Sequence, residues 1–144
     1  MTKSVRDVLK NKGNNVLTIN ADDTVYKALE LMAAENVGAL LVMESDQVIG
    51  IITERDYARK VILEGRSSLK TVIKKIMTTK VLYITPDMSV EEGLALMSDK
   101  RCRHLPVFED KELIGIISIG DLVNAHVAEK DFMINQLEHY IHGS

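Results

Sequence analysis

The sequence predicts a mixed α/β (α+β) fold built from two pseudo-symmetric β-α-β-β-α repeats and a C-terminal helix. Three observations carry this reading. Residues 16–62, shifted by 65 positions, overlay residues 81–127 without a gap, and 16 of the 47 pairs are identical, among them Val16/Val81, Ile19/Ile84, Met32/Met97, Val42/Val107, Gly50-Ile51-Ile52/Gly115-Ile116-Ile117 and Asp56/Asp121. Within each copy, short apolar runs alternate with a stretch of helical period in the same order. After the second copy, Phe132, Met133, Leu137, Tyr140 and Ile141 recur at helical spacing, with Gly143 as a stop. A repeat of this length makes the pair the folding unit, because half of a 144-residue chain has a marginal core on its own.

The elements follow in order. Residues 5–9 resemble residues 73–77 as a lead-in to each copy, with three extra residues after the first. A strand at 16–19 turns at Asn20-Ala21-Asp22-Asp23 into a helix whose Val25, Ala28, Leu29, Met32 and Ala33 share one face. Strands at 38–43 and 48–52 flank a polar turn, a helix covers about 56–62, and residues 63–69 read as a loop. In the second copy Tyr83 and Ile84 belong to the first strand. Pro86 marks the turn after it, and Ser89-Val90-Glu91-Glu92 is a capping-box pattern opening the helix. Strands at 103–108 and 113–117 complete the copy. The expected division is 1–70, 71–128 and a separate tail helix, 129–144.

Composition narrows the function classes. Apolar content of 46% with 27% charged residues is that of a globular protein, and no apolar run approaches a membrane span. The first residues lack a signal-peptide core, and the single Cys102 suits a reducing compartment, so a cytoplasmic location is expected. A net charge of −3 argues against nucleic acid as a partner. The charge is uneven. Residues 55–80 hold eight bases against two acids, whereas from Glu109 onward there are seven acids and two bases. No Walker, Gly-x-Gly-x-x-Gly, His-Glu-x-x-His or Ser/His/Asp pattern is present, and His104 has no nucleophile beside it. His139 and His142 lie near Glu138 without a third ligand, so neither a catalytic residue nor a metal site is expected.

The third strand of each copy ends in Gly50-Ile51-Ile52-Thr53-Glu54-Arg55-Asp56 or Gly115-Ile116-Ile117-Ser118-Ile119-Gly120-Asp121: a hydroxyl at the strand exit and a carboxylate in the next helical turn. One reading is a helix cap. The other is a nucleotide site, in which helix amides and the hydroxyl meet phosphate and the carboxylate accepts from ribose hydroxyls. Recurrence at equivalent positions of a pseudo-symmetric pair favours the second, since both motifs would then face a shared crevice.

The β-α-β-β-α order, these two strand exits and the segment Arg103-His104-Leu105-Pro106-Val107 resemble tandem cystathionine-β-synthase (CBS) domains, a Bateman module, over about residues 5–127. The resemblance implies two repeats packed sheet to sheet and two clefts for an adenine-containing ligand (AMP, ADP, ATP, NAD or S-adenosylmethionine), in a regulatory role without catalysis. It implies that each cleft draws on both repeats. The first would take Thr53, Arg55 and Asp56 with Tyr83, Ile84, Arg101, Arg103, His104 and Pro106, joined by Arg66, Ser67 and Ser68. The second would take Ser118, Gly120 and Asp121 with Thr18, Ile19, Val37, Gly38 and Ala39, and so has few phosphate anchors. The unpartnered tail helix suggests a homodimer, and an unidentified regulated protein is a further possible partner. Alternative readings are an empty dimerisation or docking module and a nucleotide-processing enzyme.

Overall fold

The computed structural model describes residues 3–13 and 16–141, with side chains through His139. His142 and Gly143, and the side chains of Tyr140 and Ile141, lie outside the described residues. The elements are α1 (Val5–Lys12), β1 (Thr18–Asn20), α2 (Val25–Glu35), β2 (Ala39–Glu44), β3 (Gln47–Thr53), α3 (Glu54–Tyr57), α4 (Val90–Lys100), β4 (His104–Glu109), β5 (Glu112–Ser118) and α5 (Ile119–Ile141). A π-helical turn, Ala58–Ile62, extends α3, and a short 3-10 turn covers Ile73–Lys75. The chain forms two compact units. The first-repeat unit is Val16–Val81; the second-repeat unit joins residues 3–13 to the chain from Leu82 onward.

In the first-repeat unit the sheet order is β1-β2-β3, with β1 parallel and β3 antiparallel to β2. The hairpin turns through Ser45 and Asp46, both at positive φ (50° and 63°), the geometry that matches strand twist in a two-residue loop. Its twin turns through Asp110 and Lys111 at 50° and 68°. Val25, Ala28 and Met32 of α2 bury against Leu40, Val42 and Ile52 of the sheet. The second-repeat unit repeats this packing with Val90 and Met97 of α4 against Leu105, Val107 and Ile117. The Ser89/Glu92 capping box read from the sequence is present, with both reciprocal bonds formed.

Three features differ from the sequence-based expectation. The first strand of the second copy is reduced to a single parallel bridge between Ile84 and Val107, leaving only β4 and β5 in that sheet. In the first copy the Leu41 N–H donates to the Leu17 carbonyl at 3.2 Å. Its twin is Pro106, which has no N–H, so the bond that would extend the strand cannot form. Secondly, there is no boundary at 128/129: α5 runs unbroken from Ile119 to Ile141, because neither Gly nor Pro interrupts residues 121–141.

Thirdly, the lead-ins change places. Helix α1 precedes the first copy but completes the second, with Val5 N–H bonded to the Met88 carbonyl, Arg6 N–H to Pro86 and Val90 N–H to Lys3 (2.8, 2.9 and 3.0 Å). Residues 71–77 complete the first copy through the matching bonds Ile73 to Asp23, Lys74 to Ala21 and Val25 to Thr71 (2.9, 3.0 and 2.9 Å). The compact units therefore differ in packing from the expected 1–70 and 71–128 divisions. The Arg6 guanidinium strengthens the α1 junction through both oxygens of Glu109, with Asp87 at 3.5 Å, which raises its pKa above the ordinary arginine value.

The shared Gly-Ile-Ile strand is what admits these segments. A Cβ on Gly115 would stand 2.6 Å from Leu9 Cδ2, and one on Gly50 would stand 2.7 Å from Met77 Sδ and 2.9 Å from the Thr78 carbonyl oxygen. Gly115→Ala can be relieved by movement of the Leu9 side chain, whereas Gly50→Ala meets backbone. We therefore expect both to destabilise, by about 1–3 kcal/mol for the overpacked Gly115→Ala and by more for Gly50→Ala. Leu9→Ala should cost about 2–5 kcal/mol. Urea unfolding of the three variants checks the order.

Candidate functional site

Each unit exits its last strand through a hydroxyl residue and enters a helix with a carboxylate three residues on. In the first-repeat unit Asp56 is buried and its carboxylate is fully engaged. Oδ2 accepts from the Thr53 N–H at 3.0 Å and from Thr53 Oγ1 at 3.1 Å, while the Asp56 N–H donates to Thr53 Oγ1 at 3.1 Å. Oδ1 accepts from Thr78 Oγ1 at 3.3 Å and lies 3.3 Å from Lys60 Nζ. That ammonium also donates to the Ile76 carbonyl at 3.1 Å. The capping reading of this motif is thus realised.

In the second-repeat unit the Ser118 N–H donates to Asp121 Oδ2 at 2.8 Å and the Asp121 N–H to Ser118 Oγ at 3.1 Å, the same reciprocal pair. The cation comes from elsewhere. Lys12, at the end of α1, places Nζ 2.5 Å from Asp121 Oδ2 and donates to the Ile116 carbonyl at 2.8 Å. Burial pushes the Asp121 carboxyl up, but the Lys12 ammonium and the Ser118 bonds outweigh it and hold the group below the ordinary aspartate value.

Strand register sets what flanks each carboxylate within its unit. The Glu54 N–H donates to the Gly38 carbonyl at 3.1 Å and Ala39 pairs with Thr53, so Gly38 and Ala39 border the Asp56 motif. The Ile119 N–H donates to the Arg103 carbonyl at 2.8 Å and His104 pairs with Ser118, so Arg103 and His104 border the Asp121 motif. Burial pushes the His104 pKa down, Lys12 and Arg103 lower it further, and Asp121 opposes them. The sequence assigns few cationic groups to the Asp121 side; in the structure its own unit gathers Lys12, Arg103 and His104 there.

The other candidates fall into distinct places. Arg55 and Gly120 are exposed on the first helical turn beside their carboxylates. A Cβ on Gly120 would meet only Ser118 Oγ at 3.6 Å, so a side chain fits there. Arg101 is the left-handed cap of α4 (φ 53°), and Val37 closes α2 through a 3.0 Å bond to the Met32 carbonyl. Ile84 and Pro106 are buried and bonded to each other, N–H to carbonyl, at 2.9 Å. Tyr83 is exposed, its ring tilted against Phe108 with centroids 5.1 Å apart. Ser67 and Ser68 use their carbonyls to shape the loop, accepting from Thr71 and Tyr26, and Arg66 lies 3.5 Å from Glu64. Ile19 is in the core and, with Thr18, Asn20, Lys27 and Leu31, borders a shallow cavity of ≈ 380 Å³.

Lys12, Lys60 and Thr78 were not among the sequence candidates. Lys60 lies four residues after Asp56, a helical spacing visible in the sequence. Lys12 carries a weaker signal, since it becomes a candidate only once α1 is known to pack on the second copy.

Comparison with known proteins agrees with this architecture. The CBS domain family matches residues 5–63 and 73–128. The chain is 45% identical over 149 residues to the CBS domain-containing protein CBSX3, mitochondrial, of Arabidopsis thaliana, covering 97% of this chain and 72% of that one. A solved candidate signal-transduction protein with CBS domains from Burkholderia ambifaria superposes with a TM-score of 0.85 at 49% identity, covering 88% and 95% of the two chains. A hexameric CBS-CP12 protein from bloom-forming cyanobacteria matches with a TM-score of 0.77 at 30% identity, covering 85% and 71%. The chain belongs to the CBS-domain family and carries the domain twice, as a tandem pair. Among the described residues no helix is long and apolar enough to cross a membrane.

The charges around Asp121 fix a pH response. His104 has a folded pKa below its unfolded value, so its contribution is complete above about pH 6.5 and is lost as the pH falls from there toward the folded value. Asp121 is depressed in the same sense, and its contribution is lost only as the pH falls below about 4. Thermal melts from pH 8 to 5 should therefore decline from about pH 6.5 downward, less steeply in His104→Gln. In Lys12→Met the Asp121 carboxyl should titrate higher, read by carbon-detected NMR.

Proposed function

We propose that the tandem pair is a regulatory sensor for an adenine-containing nucleotide (AMP, ADP, ATP or NAD, or the related S-adenosylmethionine), transmitting occupancy through conformation or association rather than through catalysis. One observation carries the reading. Two units built from different stretches of chain present the same hydroxyl and carboxylate at a helix N-terminus, each with a lysine ammonium within 3.3 Å of the carboxylate. A cap accounts for the reciprocal bonds and a counter-charge for each lysine; the reading rests on the same set being assembled twice, with the lysine taken once from α1 and once from the α3 extension. Cation, hydroxyl and helix amides together suit phosphate, and the carboxylate suits ribose. The candidate signal-transduction relative supports a regulatory role, and the single cysteine fits a cytoplasmic setting.

A second reading, self-association, rests on α5, where Val123, Val127, Phe132, Met133, Ile134 and Leu137 are all at least 43% exposed. An apolar surface of that extent on one helix calls for cover. The hexameric CBS-CP12 relative shows that a relative of this chain assembles.

Isothermal titration calorimetry of the full chain against AMP, ADP, ATP, NAD and S-adenosylmethionine tests the nucleotide reading. We expect saturable binding of at least one ligand, weakened about tenfold or more by Asp121→Asn or Thr53→Ala in variants that keep the wild-type circular dichroism. Absence of binding across the panel rejects it. With four tyrosines and no tryptophan, the purified protein absorbs little at 280 nm, so a co-purifying nucleotide also shows directly as a 260 nm band.

A further inference from the structure

Lys12 and Asp121 are 109 residues apart in sequence and bonded in the second-repeat unit, and each has bonding capacity left over. An ammonium carries three N–H donors. Lys12 uses two, on Asp121 Oδ2 and the Ile116 carbonyl, and no third acceptor stands among the described residues. Asp121 takes Lys12 and the Ser118 N–H on Oδ2, so its Oδ1 accepts nothing from the described residues. The Asp121 side chain is 25% exposed. That of Asp56 is 11% exposed, and both of its oxygens are engaged. An open acceptor beside an open charged donor is therefore found at Asp121 and not at Asp56.

The charges around that open oxygen favour an anion. Lys12 offsets Asp121, which leaves Arg103 over, exposed and in no ion pair among the described residues. Lys12 and Arg103 both stand close enough to His104 to lower its pKa, and the imidazole is neutral near pH 7. One positive charge is in excess. A phosphate brings the matching sign and several acceptor oxygens, whereas the sulfonium of S-adenosylmethionine brings the opposite sign.

The donor, moreover, stands on a segment that is docked rather than continuous with its unit. Helix α1 is held by the Val5 and Arg6 N–H bonds to Met88 and Pro86 and by Leu9 against Gly115. Any group that accepts from Lys12 while bound to the rest of the unit adds a further fastening to that helix.

We propose that Lys12 donates its third N–H to a phosphate oxygen of the ligand at Asp121, so that a phosphorylated adenine ligand fastens α1 onto the second-repeat unit. This rests on the nucleotide reading above and deepens it, naming a phosphate contact, a preference among ligands and the segment that reports occupancy. The ligand joins the Lys12–Asp121 pair rather than replacing it, because each partner keeps its present bond and uses only what is free. Phosphorylated ligands are preferred over adenosine and S-adenosylmethionine, and α1 exchanges with solvent more slowly in the bound state.

Two measurements on the full chain decide it: calorimetric titration with adenosine, AMP, ADP, ATP, NAD and S-adenosylmethionine, and hydrogen exchange of α1 with and without the tightest binder. Lys12→Met should weaken the phosphorylated ligands about tenfold and leave adenosine at its wild-type value, and Lys12→Arg, which keeps the charge, should recover most of the loss. By reciprocity the tightest phosphorylated ligand, at saturation, should slow exchange in wild-type α1 by the same factor of about ten. The exchange comparison needs no variant, so it stands even where Lys12→Met loosens α1. Phosphorylated ligands that bind Lys12→Met as tightly as wild type overturn the phosphate contact, as does an equal loss for adenosine, and both leave the nucleotide reading standing. Exchange in α1 that is unchanged or faster with ligand overturns the fastening. Binding of S-adenosylmethionine alone overturns this inference but not the reading above, and binding of none of the six overturns both.

Discussion

The close approach of Leu9 and Met77 to strand backbone, each at a glycine, is the contact on which docking of the lead-in segments depends. A side chain at position 50 or 115 would collide with them, so the glycines act by absence. The lead-in segments dock there because nothing projects, and once docked they cap the open side of the sheet with main-chain bonds to the turn before α2 or α4. Since α1 precedes the first copy but completes the second, the second copy is not whole as a contiguous stretch of chain, whereas the first, Val16–Val81, is. The second copy therefore folds around a segment from which the whole first copy separates it in sequence.

The same docking determines the electrostatics of the candidate site. Capping accounts for the Thr53/Asp56 and Ser118/Asp121 bonds, and a neutral cap would suffice to start a helix. An ionised carboxylate at that position also needs a counter-charge when it is withdrawn from water. In the first-repeat unit the helix supplies it as Lys60, with Thr78 from the lead-in; in the second the lead-in supplies it as Lys12. Position 125, the counterpart of Lys60, is an alanine. The second carboxylate thus depends on α1 for what the first obtains from its own helix.

Much of this was legible in the sequence, and the remainder failed for identifiable physical reasons. The duplication, the hairpins, the Ser89/Glu92 cap and the two hydroxyl-carboxylate motifs are local patterns, and local patterns survive into the fold. Loss of the strand before Pro86 was readable in principle, because Pro106 stands where Leu41 donates, but a register must be known before a missing N–H can be assigned to it. Continuity of α5 past residue 128 was hidden by treating the end of the repeat as the end of a helix, although no breaker residue occurs there. The exchange of lead-ins had no local signal at all. Residues 5–9 and 73–77 share one apolar and polar pattern, so that pattern does not say which copy each segment completes. Lys12 was missed as a direct result, being adjacent in sequence to one copy and in contact with the other.

Inequality between the two sites consequently has a different origin from the one residue types suggest. Arg55 against Gly120, and Arg103-His104 against Gly38-Ala39, describe the first turn and the neighbouring strand. The deeper asymmetry is in how each carboxylate is held. Asp56 spreads its contacts over two oxygens and two segments of its own unit, whereas Asp121 takes both of its strongest contacts on Oδ2, one of them from Lys12. A ligand group that accepts from Lys12 or replaces it at Asp121 changes the free energy of seating α1. By reciprocity, whatever seats α1 more firmly changes the affinity for that group by the same factor. At Asp56 the docked segment is reached through Thr78 and through Lys60, which also donates to the Ile76 carbonyl, but there the cation itself is anchored on the helix it serves. A ligand at Asp121 would therefore couple its binding to the docking of α1, a segment remote in sequence from the rest of its unit.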